Sequence, residues 1–566
     1  MSDSLTPMVA GALLGFSLLF FNPLLVFFSD PNRLGDLPLR FVYQQLGLAV
    51  GLSLVLGLLA LRLGRRYAIT ICFLCLVAFA YSYVVQIHFG LFRGNRFTGE
   101  DKIREVARIA YLVEPVVLGG LFWLVRRVFD SSRQFFLVFF AVFFASVGYE
   151  VYADARRHLA RPDAKVKQES RPLPEELFSF SRENPNILLI VPDAGAGYIL
   201  PNLMAEGDRA SGFDGFVHYR NTLSVGSYTL PSAAALIAGP SYTVGRINER
   251  NEQPILRYIG DAYRWLGETL QRRGVEGTFV NPVFVGCVDL KPEHTCVQTK
   301  SYKRTLEARY GFEGLEVFDE DTVFVFALFK ALPFSLKAWL YGSPAWEAAL
   351  ESPFQLAASV NNRFYETLFL KALPELSTVE AEAPTQFIHL WDSELIAPFF
   401  TGAACQPLAG SESTMYSHAA RIEATGCLLD QLAVWFEWLS ANDVYDNTKI
   451  IIAADHGAAK YGEEFFRGAA KPILLVKDFG SRGPLASSDL LLQNSDVIRL
   501  ICAALDGCEG IGPDPIAEPE VDRVARYYYT QHGNEVWAKA TRKFEIRQII
   551  EVTDHVDRHP ELQQAE

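Results

Sequence analysis

Positive charge is scarce in this sequence. Among its 566 residues, 52 are Lys or Arg and 65 are Asp or Glu, so the formal net charge at pH 7 is −13. Because nucleic-acid-binding proteins usually present a basic face, this balance argues against DNA or RNA as a partner. The sequence also lacks a charged or low-complexity tail. A nucleic-acid-binding function is therefore not expected.

Basic residues are also absent from the opening segment MSDSLTP. A removable signal peptide begins with a basic segment and has an apolar core of about 7–15 residues. The apolar run that follows here, Pro7–Phe28, is longer and has no basic segment before it. We therefore interpret this run as a membrane span that is retained.

Long apolar runs dominate the sequence up to Tyr152. Five of them approach the roughly 20 residues that a helix needs to cross the apolar core of a bilayer. They are Pro7–Phe28, Phe41–Leu61, Tyr67–Phe89, Val106–Val125 and Gln134–Ala153. The sequence therefore predicts a five-helix transmembrane domain over residues 1–153. Its fourth span contains Glu114, and an ionisable residue within a span is a functional candidate by default.

The basic residues of the short loops predict the orientation of these spans, because cytoplasmic loops carry an excess of Lys and Arg. Two loops show this excess, and their basic residues are Arg62, Arg65, Arg66, Arg126, Arg127 and Arg133. The loop over residues 90–105 is a weaker competitor, because acidic residues accompany its basic ones. With five spans, the C-terminal half is then expected outside the cytoplasm.

The C-terminal half contains an even set of cysteines, which are Cys287, Cys296, Cys405, Cys427, Cys502 and Cys508. None of their spacings is that of a zinc finger. The short separations of Cys287 from Cys296 and of Cys502 from Cys508 favour local disulfides, which persist in oxidising compartments. Unrelated free thiols are the alternative, since free Cys is a common small core residue.

After a charged connector over residues 154–184, the pattern becomes that of a globular domain over residues 185–566. Short, near-continuous apolar runs predict strands that are buried on both faces. These runs are Asn186–Val191, Gln386–Leu390, Lys449–Ala453 and Pro472–Val476. Helical patterns such as Ala262–Gly274 lie between them. Alternating strands and helices predict an α/β fold with a mostly parallel sheet flanked by helices.

One insert, Asp321–Tyr341, departs from this alternation. It is apolar, but two Lys residues and a central Pro make it too interrupted for a sixth span. A helix that lies on the membrane surface and dips into the outer leaflet is one interpretation. A buried core helix is the other, and the pattern does not decide between them.

Four side chains at expected strand ends or helix starts have the chemistry of a metal site. Asp193 follows the strand NILLIVP, and Asp455 and His456 follow the strand KIIIAA. Thr229 precedes an expected helix with Pro231 in its first turn, where backbone N–H groups favour phosphate. Carboxylate and imidazole donors suit zinc or manganese. A hydroxyl bound to such an ion loses its proton readily, which makes Thr229 a candidate nucleophile.

Each of these residues also has a plainer interpretation. Asp193 and Thr229 could each be a helix cap. The triplet that begins with Asp455 and His456 is harder to explain as a cap, because two ionisable groups at the edge of a core need partners. The order of all four along the chain favours the functional interpretation.

Several segments occur in an order typical of one known group of enzymes. They are NILLIVPDAGAGY, YRNTLSVGSYTLPSAAALIAG, FIHLWD, LAVWFEWLSANDVYDNTKIIIAADHG and KPILLV, within Asn186–Leu505. In these segments the chain resembles the alkaline phosphatase/sulfatase superfamily, and within it the membrane-anchored phosphoethanolamine and phosphoglycerol transferases, which include lipoteichoic acid synthase-like proteins. The resemblance implies an alkaline-phosphatase-like α/β domain. It also implies one divalent metal ion, zinc or manganese, held by Asp193, Thr229, Asp455 and His456, with Thr229 as the catalytic nucleophile.

The sequence departs from parts of this pattern. Sulfatases of the superfamily carry Cys or Ser where Thr229 stands and Arg where Ala233 stands, so an arylsulfatase is not expected. Relatives usually have a second His soon after the strand that matches FIHLWD, where it helps to hold the transferring phosphate. Here Glu394 or Ile396 occupies that place. Relatives with two metals carry further His residues after the triplet, and the stretch AAKYGEEFFRGAAK has none, so a second metal is not expected.

Other residues are candidates for binding the substrate. Lys460 or Arg467 could supply the positive charge that holds a phosphate. His389 and Glu394 are further candidates, although a lone His within a strand, such as His389, is more often structural. The resemblance also implies a disulfide between Cys405 and Cys427.

The function that the resemblance implies is transfer of a phospholipid head group, phosphoethanolamine or phosphoglycerol, through a phospho-threonine intermediate. The acceptor would be an envelope lipid or glycan. The expected location is the bacterial inner membrane, with the C-terminal domain in the periplasm. Two alternatives stay open: a phosphodiesterase or sulfatase-type hydrolase that uses water, and a catalytically degenerate lipid-binding regulatory protein.

Overall fold

The computed structural model divides the chain into two compact units. The N-terminal unit comprises residues 1–167, 313–362 and 409–412, and the sheet unit comprises residues 168–312, 363–408 and 413–566. The residues that the structure describes are 14–29, 39–62, 75, 77–79, 81–82, 92–93, 96–97, 100–131, 149, 152–153, 156, 170–284, 286–290, 292–312, 320–341, 343–344, 346, 353–396, 399–408, 417–458, 469–530, 541–559 and 562.

The described α-helices are distributed over both units. In chain order they are α1 (Asn22–Ser29), α2 (Leu39–Arg62), α3 (Glu100–Ser131), α4 (Leu200–Ala205), α5 (Thr229–Ala238), α6 (Val244–Arg250), α7 (Ile255–Arg272), α8 (Lys303–Arg309), α9 (Glu320–Ala331), α10 (Phe334–Leu340), α11 (Pro353–Ala372), α12 (His418–Ala441) and α13 (Val497–Ala504). The insert that contains α9 and α10 belongs to the N-terminal unit. Three separate stretches of the chain therefore form the sheet unit.

The described strands lie mainly in the sheet unit. In chain order they are β1 (Phe92–Arg93), β2 (Arg96–Phe97), β3 (Phe178–Ser181), β4 (Asn186–Pro192), β5 (Phe216–Tyr219), β6 (Thr222–Leu223), β7 (Glu276–Val280), β8 (Thr295–Val297), β9 (Ser377–Glu380), β10 (Gln386–Asp392), β11 (Thr448–Ala453), β12 (Leu474–Lys477), β13 (Ala486–Ser488), β14 (Leu492–Gln493), β15 (Ala525–Thr530) and β16 (Ile546–Val552).

The main sheet has eight strands in the order β13-β5-β12-β11-β4-β10-β7-β8. Five of its seven pairings are parallel, and β12 pairs antiparallel with both of its neighbours. The predicted strands correspond to β4, β10, β11 and β12, so the expectation of a mostly parallel sheet flanked by helices is confirmed. The antiparallel direction of β12 makes the sheet mixed.

The central strand β4 is buried on both faces. Ile187, Leu189 and Val191 pack into a core that also includes side chains of α5, α7 and α13. Leu188 and Ile190 point to the opposite face and are equally buried. Because neither face meets water, the strand needs no alternation of polar and apolar residues. This burial explains the continuous apolar run in the sequence.

The register of the central strands brings their carboxyl ends together. Asp392 at the end of β10 pairs with Pro192 at the end of β4, and Ile452 of β11 pairs with Ile190 of β4. The residues that follow these three parallel strands therefore meet at one edge of the sheet.

Three disulfides form in the sheet unit. They join Cys287 to Cys296, Cys405 to Cys427, and Cys502 to Cys508. The two local pairings and the pairing implied by the family resemblance are thus confirmed. The alternative of six unrelated free thiols is wrong.

Helices of the N-terminal unit coincide with three of the five predicted spans. A π-helical turn, Ser17–Phe21, and α1 fall in the first span, α2 in the second and α3 in the fourth. Among the residues that the structure describes, one helical segment, Lys102–Leu124 of α3, is long and apolar enough to cross a membrane. Most of the third and fifth predicted spans lies outside the described residues, so the five-helix domain stays a prediction.

Candidate metal centre

The turn after β4 places Asp193 at the carboxyl edge of the sheet. Its N–H donates to the carbonyl of Asp392 at 2.8 Å. The next residue, Ala194, has a φ of +61°, in a region that residues other than Gly rarely adopt. The Ala194 N–H donates to Asp455 Oδ1 at 3.2 Å. This strained turn holds the Asp193 and Asp455 carboxylates beside each other, and such strain is commonly found at functional sites.

Thr229 is the first residue of α5, and its side chain points at the Asp193 carboxylate. The distances from Thr229 Oγ1 are 3.2 Å to Asp193 Oδ1, 3.4 Å to Asp193 Oδ2 and 3.4 Å to His456 Nε2. The first N–H groups of a helix have no partner within it, and they favour negative charge. The hydroxyl therefore lies where charge on a phosphate would be stabilised.

Gly226 lets the loop before Thr229 close against the first turn of α5. A Cβ atom at this position would lie 2.6 Å from Cγ of Pro231, which is too close for any other residue without movement. The Gly226 N–H donates to Ser232 Oγ at 3.0 Å. These contacts fix the start of the helix, and with it the position of the Thr229 hydroxyl.

Asp455 and His456 follow β11 and complete the centre. His456 Nε2 lies 3.5 Å from Asp193 Oδ1 and 3.7 Å from Asp455 Oδ2. One ligand atom from each of Asp193, Asp455 and His456 lies within 4.8 Å of the others, and all three residues are buried. The structure thus brings together the four residues that the sequence singled out.

These donors fit a divalent cation. Asp455 Oδ2 is buried and accepts no hydrogen bond within the part of the chain that the structure describes, and such an atom is destabilising unless something binds it. In the protein alone, burial and the neighbouring Asp193 raise the pKa of Asp455 to about 7. Burial by itself would lower the pKa of His456, but the Asp455 and Asp193 carboxylates outweigh it and raise that pKa to about 9. A cation would supply the positive charge that these carboxylates otherwise take from protons.

Two supporting residues were not identified from the sequence. The indole N–H of Trp391 donates to Asp193 Oδ2 at 3.2 Å. The side chain of Asn494 donates to the backbone carbonyl of Asp455 and accepts from the Val225 N–H at 3.0 Å. Asn494 therefore ties Asp455 to the loop that precedes Thr229. Trp391 could have been found from the sequence, because it lies in the FIHLWD segment and carries an indole N–H that can donate to a carboxylate. The segment around Asn494 contains no such indication.

A second group of acids is buried on α11, at the last residue of β10 and just after β10: Glu366, Asp392 and Glu394. The Ser393 N–H donates to Glu366 Oε2 at 2.7 Å, and the Glu394 N–H donates to Asp392 Oδ1 at 3.0 Å. Burial, with a smaller effect of nearby carboxylates, raises the pKa of all three carboxyls, and the pKa reaches about 7 for Asp392 and about 8 for Glu394. Glu394, one of the two residues at the place where the resemblance implies a His, is therefore a buried acid and not a cation.

His389 lies within β10, and its side chain is fully buried. Its Nε2 lies 3.4 Å from the Tyr263 hydroxyl, and its ring packs near those of Phe279 and Trp391. Burial lowers the pKa of His389 to about 3. It is therefore a neutral histidine within an aromatic cluster at physiological pH. The other substrate-binding candidates, Lys460 and Arg467, lie outside the described residues.

We expect His389 to make the protein sensitive to acid. In the unfolded chain the His389 imidazole takes up a proton near pH 6.5, because that is its ordinary pKa. In the folded protein the same imidazole takes up a proton only near pH 3. Between these values the free energy of unfolding falls by about 1.4 kcal/mol per pH unit from this residue alone. His389→Gln removes that contribution, so its thermal midpoint should fall less than that of the wild type between pH 6.5 and 5.5. Equal declines in the two proteins, followed by intrinsic fluorescence, would contradict a buried neutral His389.

Comparisons with known proteins found similar folds among solved structures. No protein-family model matches the sequence, and no curated protein matches it. Similar structures include the phosphonate monoester hydrolase SpPMH from Silicibacter pomeroyi, with 15% identity and a TM-score of 0.37 over 61% of this chain and 80% of that chain. A second is a 4S-sulfatase from Bacteroides thetaiotaomicron, with 13% identity and a TM-score of 0.39 over 68% of this chain and 92% of that chain.

A third similar structure is a protein of the alkaline phosphatase superfamily from Vibrio parahaemolyticus, with 13% identity and a TM-score of 0.35 over 65% of this chain and 79% of that chain. These neighbours are sulfatases, phosphonate hydrolases and other members of the alkaline phosphatase superfamily. At such TM-scores the likeness alone assigns no activity to this chain. Any assignment of chemistry must come from the metal centre itself.

Proposed function

We propose that this chain is a membrane-anchored, metal-dependent phosphotransferase that moves a phospholipid head group, phosphoethanolamine or phosphoglycerol, to an envelope lipid or glycan. One observation carries the proposal: the Thr229 hydroxyl lies at a helix start, 3.2 Å from Asp193 and 3.4 Å from His456, within a set of buried metal donors. A helix cap would not need two carboxylates and an imidazole around its hydroxyl.

Asp193, Asp455 and His456 would hold one zinc or manganese ion, with the Thr229 hydroxyl as a further ligand. When bound, such a cation makes a hydroxyl more acidic and offsets the charge of a phosphate. The preference for one ion follows from the described residues, where this is the one group of three such donors close enough to share a metal.

The chemistry divides into two steps on Thr229. In the first step, Thr229 Oγ1 gives up its proton and attacks the head-group phosphorus, a phosphorus–oxygen bond to Thr229 forms, and the bond to the diacylglycerol oxygen breaks. The departing diacylglycerol oxygen takes up a proton. In the second step, an acceptor hydroxyl gives up its proton and attacks the same phosphorus, the bond from phosphorus to Thr229 Oγ1 breaks, and Thr229 Oγ1 takes up a proton. The N–H groups at the start of α5 favour the negative charge on the phosphate oxygens in both steps.

The location in the inner membrane, with the sheet unit outside the cytoplasm, is part of the proposal. Three disulfides support it, because disulfides persist in oxidising compartments. The apolar segment of α3 supports the anchor. A phospholipid donor would explain the anchor, since the enzyme and its substrate would then lie at the same membrane surface.

The test is an assay of the full chain in vesicles that contain head-group-labelled phosphatidylethanolamine or phosphatidylglycerol, with envelope lipid or glycan as acceptor. We expect diacylglycerol release and transfer of label, both lost after chelation and restored by zinc or manganese. Label released only to water would replace the transferase with a hydrolase. Lipid binding without any release, by a protein that contains metal, would leave a regulatory lipid-binding protein.

A further inference from the structure

The insert in the N-terminal unit forms a helical hairpin, because the ring of Phe329 in α9 packs against those of Tyr341 and Trp346, which follow α10. Its two helices, α9 and α10, are separated by Leu332 and Pro333. One apolar cluster joins them to α3, and its buried members are Ile103, Ala110, Val325, Phe329, Phe334, Leu340 and Trp346. A second cluster joins α9 to α1 and α2, and its buried members are Val26, Phe27, Phe41, Val323 and Ala327. The hairpin is therefore built into the helices of the N-terminal unit.

Glu114 of α3 binds the turn of this hairpin. Its carboxylate accepts hydrogen bonds from the N–H groups of Phe334 at 2.7 Å and Ser335 at 2.8 Å. Pro333 has no N–H, and the N–H groups of Leu336 and Lys337 donate to the Pro333 carbonyl. The N–H groups at this break in the helix thus find partners. Broken helices inside a bilayer are tolerated only under that condition.

The position of Glu114 along α3 gives the depth of the turn. It lies twelve residues after Lys102 and ten residues before Leu124, the ends of the apolar segment. At about 1.5 Å per helical residue, these distances are about 18 Å and about 15 Å. The turn of the hairpin is therefore level with the middle of the one apolar segment that the described residues offer for crossing a membrane.

Neither helix of the insert is long enough for a complete crossing. Helix α9 has 12 residues and α10 has 7, whereas a helix needs about 20 residues to cross the apolar core of a bilayer. The chain leaves the sheet unit after Phe312 and returns to it at Arg363, so both ends of the insert belong to the same unit. A segment that folds back between its two helices and returns to the same unit would enter and leave a membrane from one side.

The remaining face of the hairpin is apolar and exposed. It presents Phe324, Leu328, Leu336 and Trp339, of which Trp339 is 69% exposed. The charged group of Lys337 does not join this face, because the side chain is buried, lies 4.4 Å from the centre of the Phe334 ring and interacts with Glu114. On the adjoining helix α3, Leu112 and Val116 are also exposed. Acyl chains of a bilayer are the partner that fits such a surface at this depth.

We propose that α9 and α10 form a re-entrant hairpin, with its turn near the middle of the bilayer and with Phe324, Leu328, Leu336 and Trp339 against lipid acyl chains. The inference rests on the membrane anchor of the proposed function. It replaces both earlier interpretations of the insert, the surface-lying helix and the soluble core helix. It also means that the sheet unit is joined to the membrane on both sides of the insert, in addition to its N-terminal connector.

The test measures contact with lipid and does not depend on catalysis. In full chain with Cys72→Ser and Cys75→Ser, single cysteines are introduced as L336C and W339C in the hairpin and V116C on the exposed face of α3. V434C, at an exposed apolar position of α12 in the sheet unit, is the matched control. Each cysteine is labelled with an environment-sensitive fluorophore, and the protein is placed in nanodiscs of phosphatidylcholine with or without bromine on the acyl chains.

We expect brominated lipid to quench the probes at positions 336, 339 and 116 and to leave the probe at 434 unchanged. Quenching at 116 without quenching at 336 and 339 would overturn the hairpin and leave the anchor intact. Absence of quenching at all positions would overturn both the hairpin and the anchor. None of these outcomes bears on whether Thr229 transfers phosphate, so failure of the two proposals can be told apart.

Discussion

Replacing Thr229 with Ala should abolish head-group transfer while Asp193, Asp455 and His456 still bind the metal at a saturating concentration. The change removes the only atom that we assign to attack on phosphorus, and loss of a catalytic nucleophile lowers turnover by about 10⁴-fold or more. Asp193, Asp455 and His456 remain in place, and the Thr229 hydroxyl makes only long hydrogen bonds of 3.2–3.4 Å to two of them. The measurement is release of diacylglycerol by the full chain in vesicles, together with metal content per chain.

Thr229→Ser is the matched control, because it keeps a hydroxyl at the same position and should retain part of the activity. Mass spectrometry after brief exposure to donor lipid provides a second readout. A phosphorylated head group should be found on the peptide that contains Thr229 in the wild type, and it should be absent in Thr229→Ala. Turnover of Thr229→Ala that equals that of the wild type would show that the nucleophile lies elsewhere.

The central strands and the four residues of the metal centre could be predicted because their signals are local. Strand β4 lies in the middle of the sheet, and burial on both faces leaves a continuous apolar run in the sequence. Parallel strands end at the same edge, so acidic residues after two such runs were expected to meet. The direction of β12 could not be predicted in this way, because an apolar run does not record which way the strand points.

Other parts of the site depend on contacts between distant segments. Asn494 reaches the Asp455 carbonyl and the Val225 N–H, and these pairings exist only once the sheet and α5 have assembled. Glu366 meets Ser393 through a helix and a strand end that are separate in sequence. The insert shows the same limit, since its apolar pattern is common to a core helix and a lipid-facing one. Glu114, far away in sequence, binds the turn at Phe334, and the pattern of the insert alone gives no sign of this contact.

Replacing Asp455 with Asn should remove the metal without unfolding the site. The amide oxygen of Asn can still accept the hydrogen bond from the Ala194 N–H, so the strained turn keeps its partner. The lost negative charge belongs to a proposed direct ligand, whose Oδ2 accepts no hydrogen bond from the residues that the structure describes. Since loss of a residue that only supports a ligand already lowers affinity about 10–100-fold, we expect a fall of about 100-fold or more here.

Thermal stability gives a readout of this loss that is independent of turnover. A ligand at about 1,000 times its dissociation constant stabilises a folded protein by about 4 kcal/mol, so zinc or manganese should raise the melting temperature of the wild type. The same addition should leave Asp455→Asn almost unchanged. Without metal, the variant should be at least as stable as the wild type, because it no longer holds two buried carboxylates, those of Asp193 and Asp455, side by side. Asp522→Asn, which removes one charge at an exposed position, should respond to metal as the wild type does. An equal metal-induced shift in Asp455→Asn and the wild type would mean that the cation binds elsewhere.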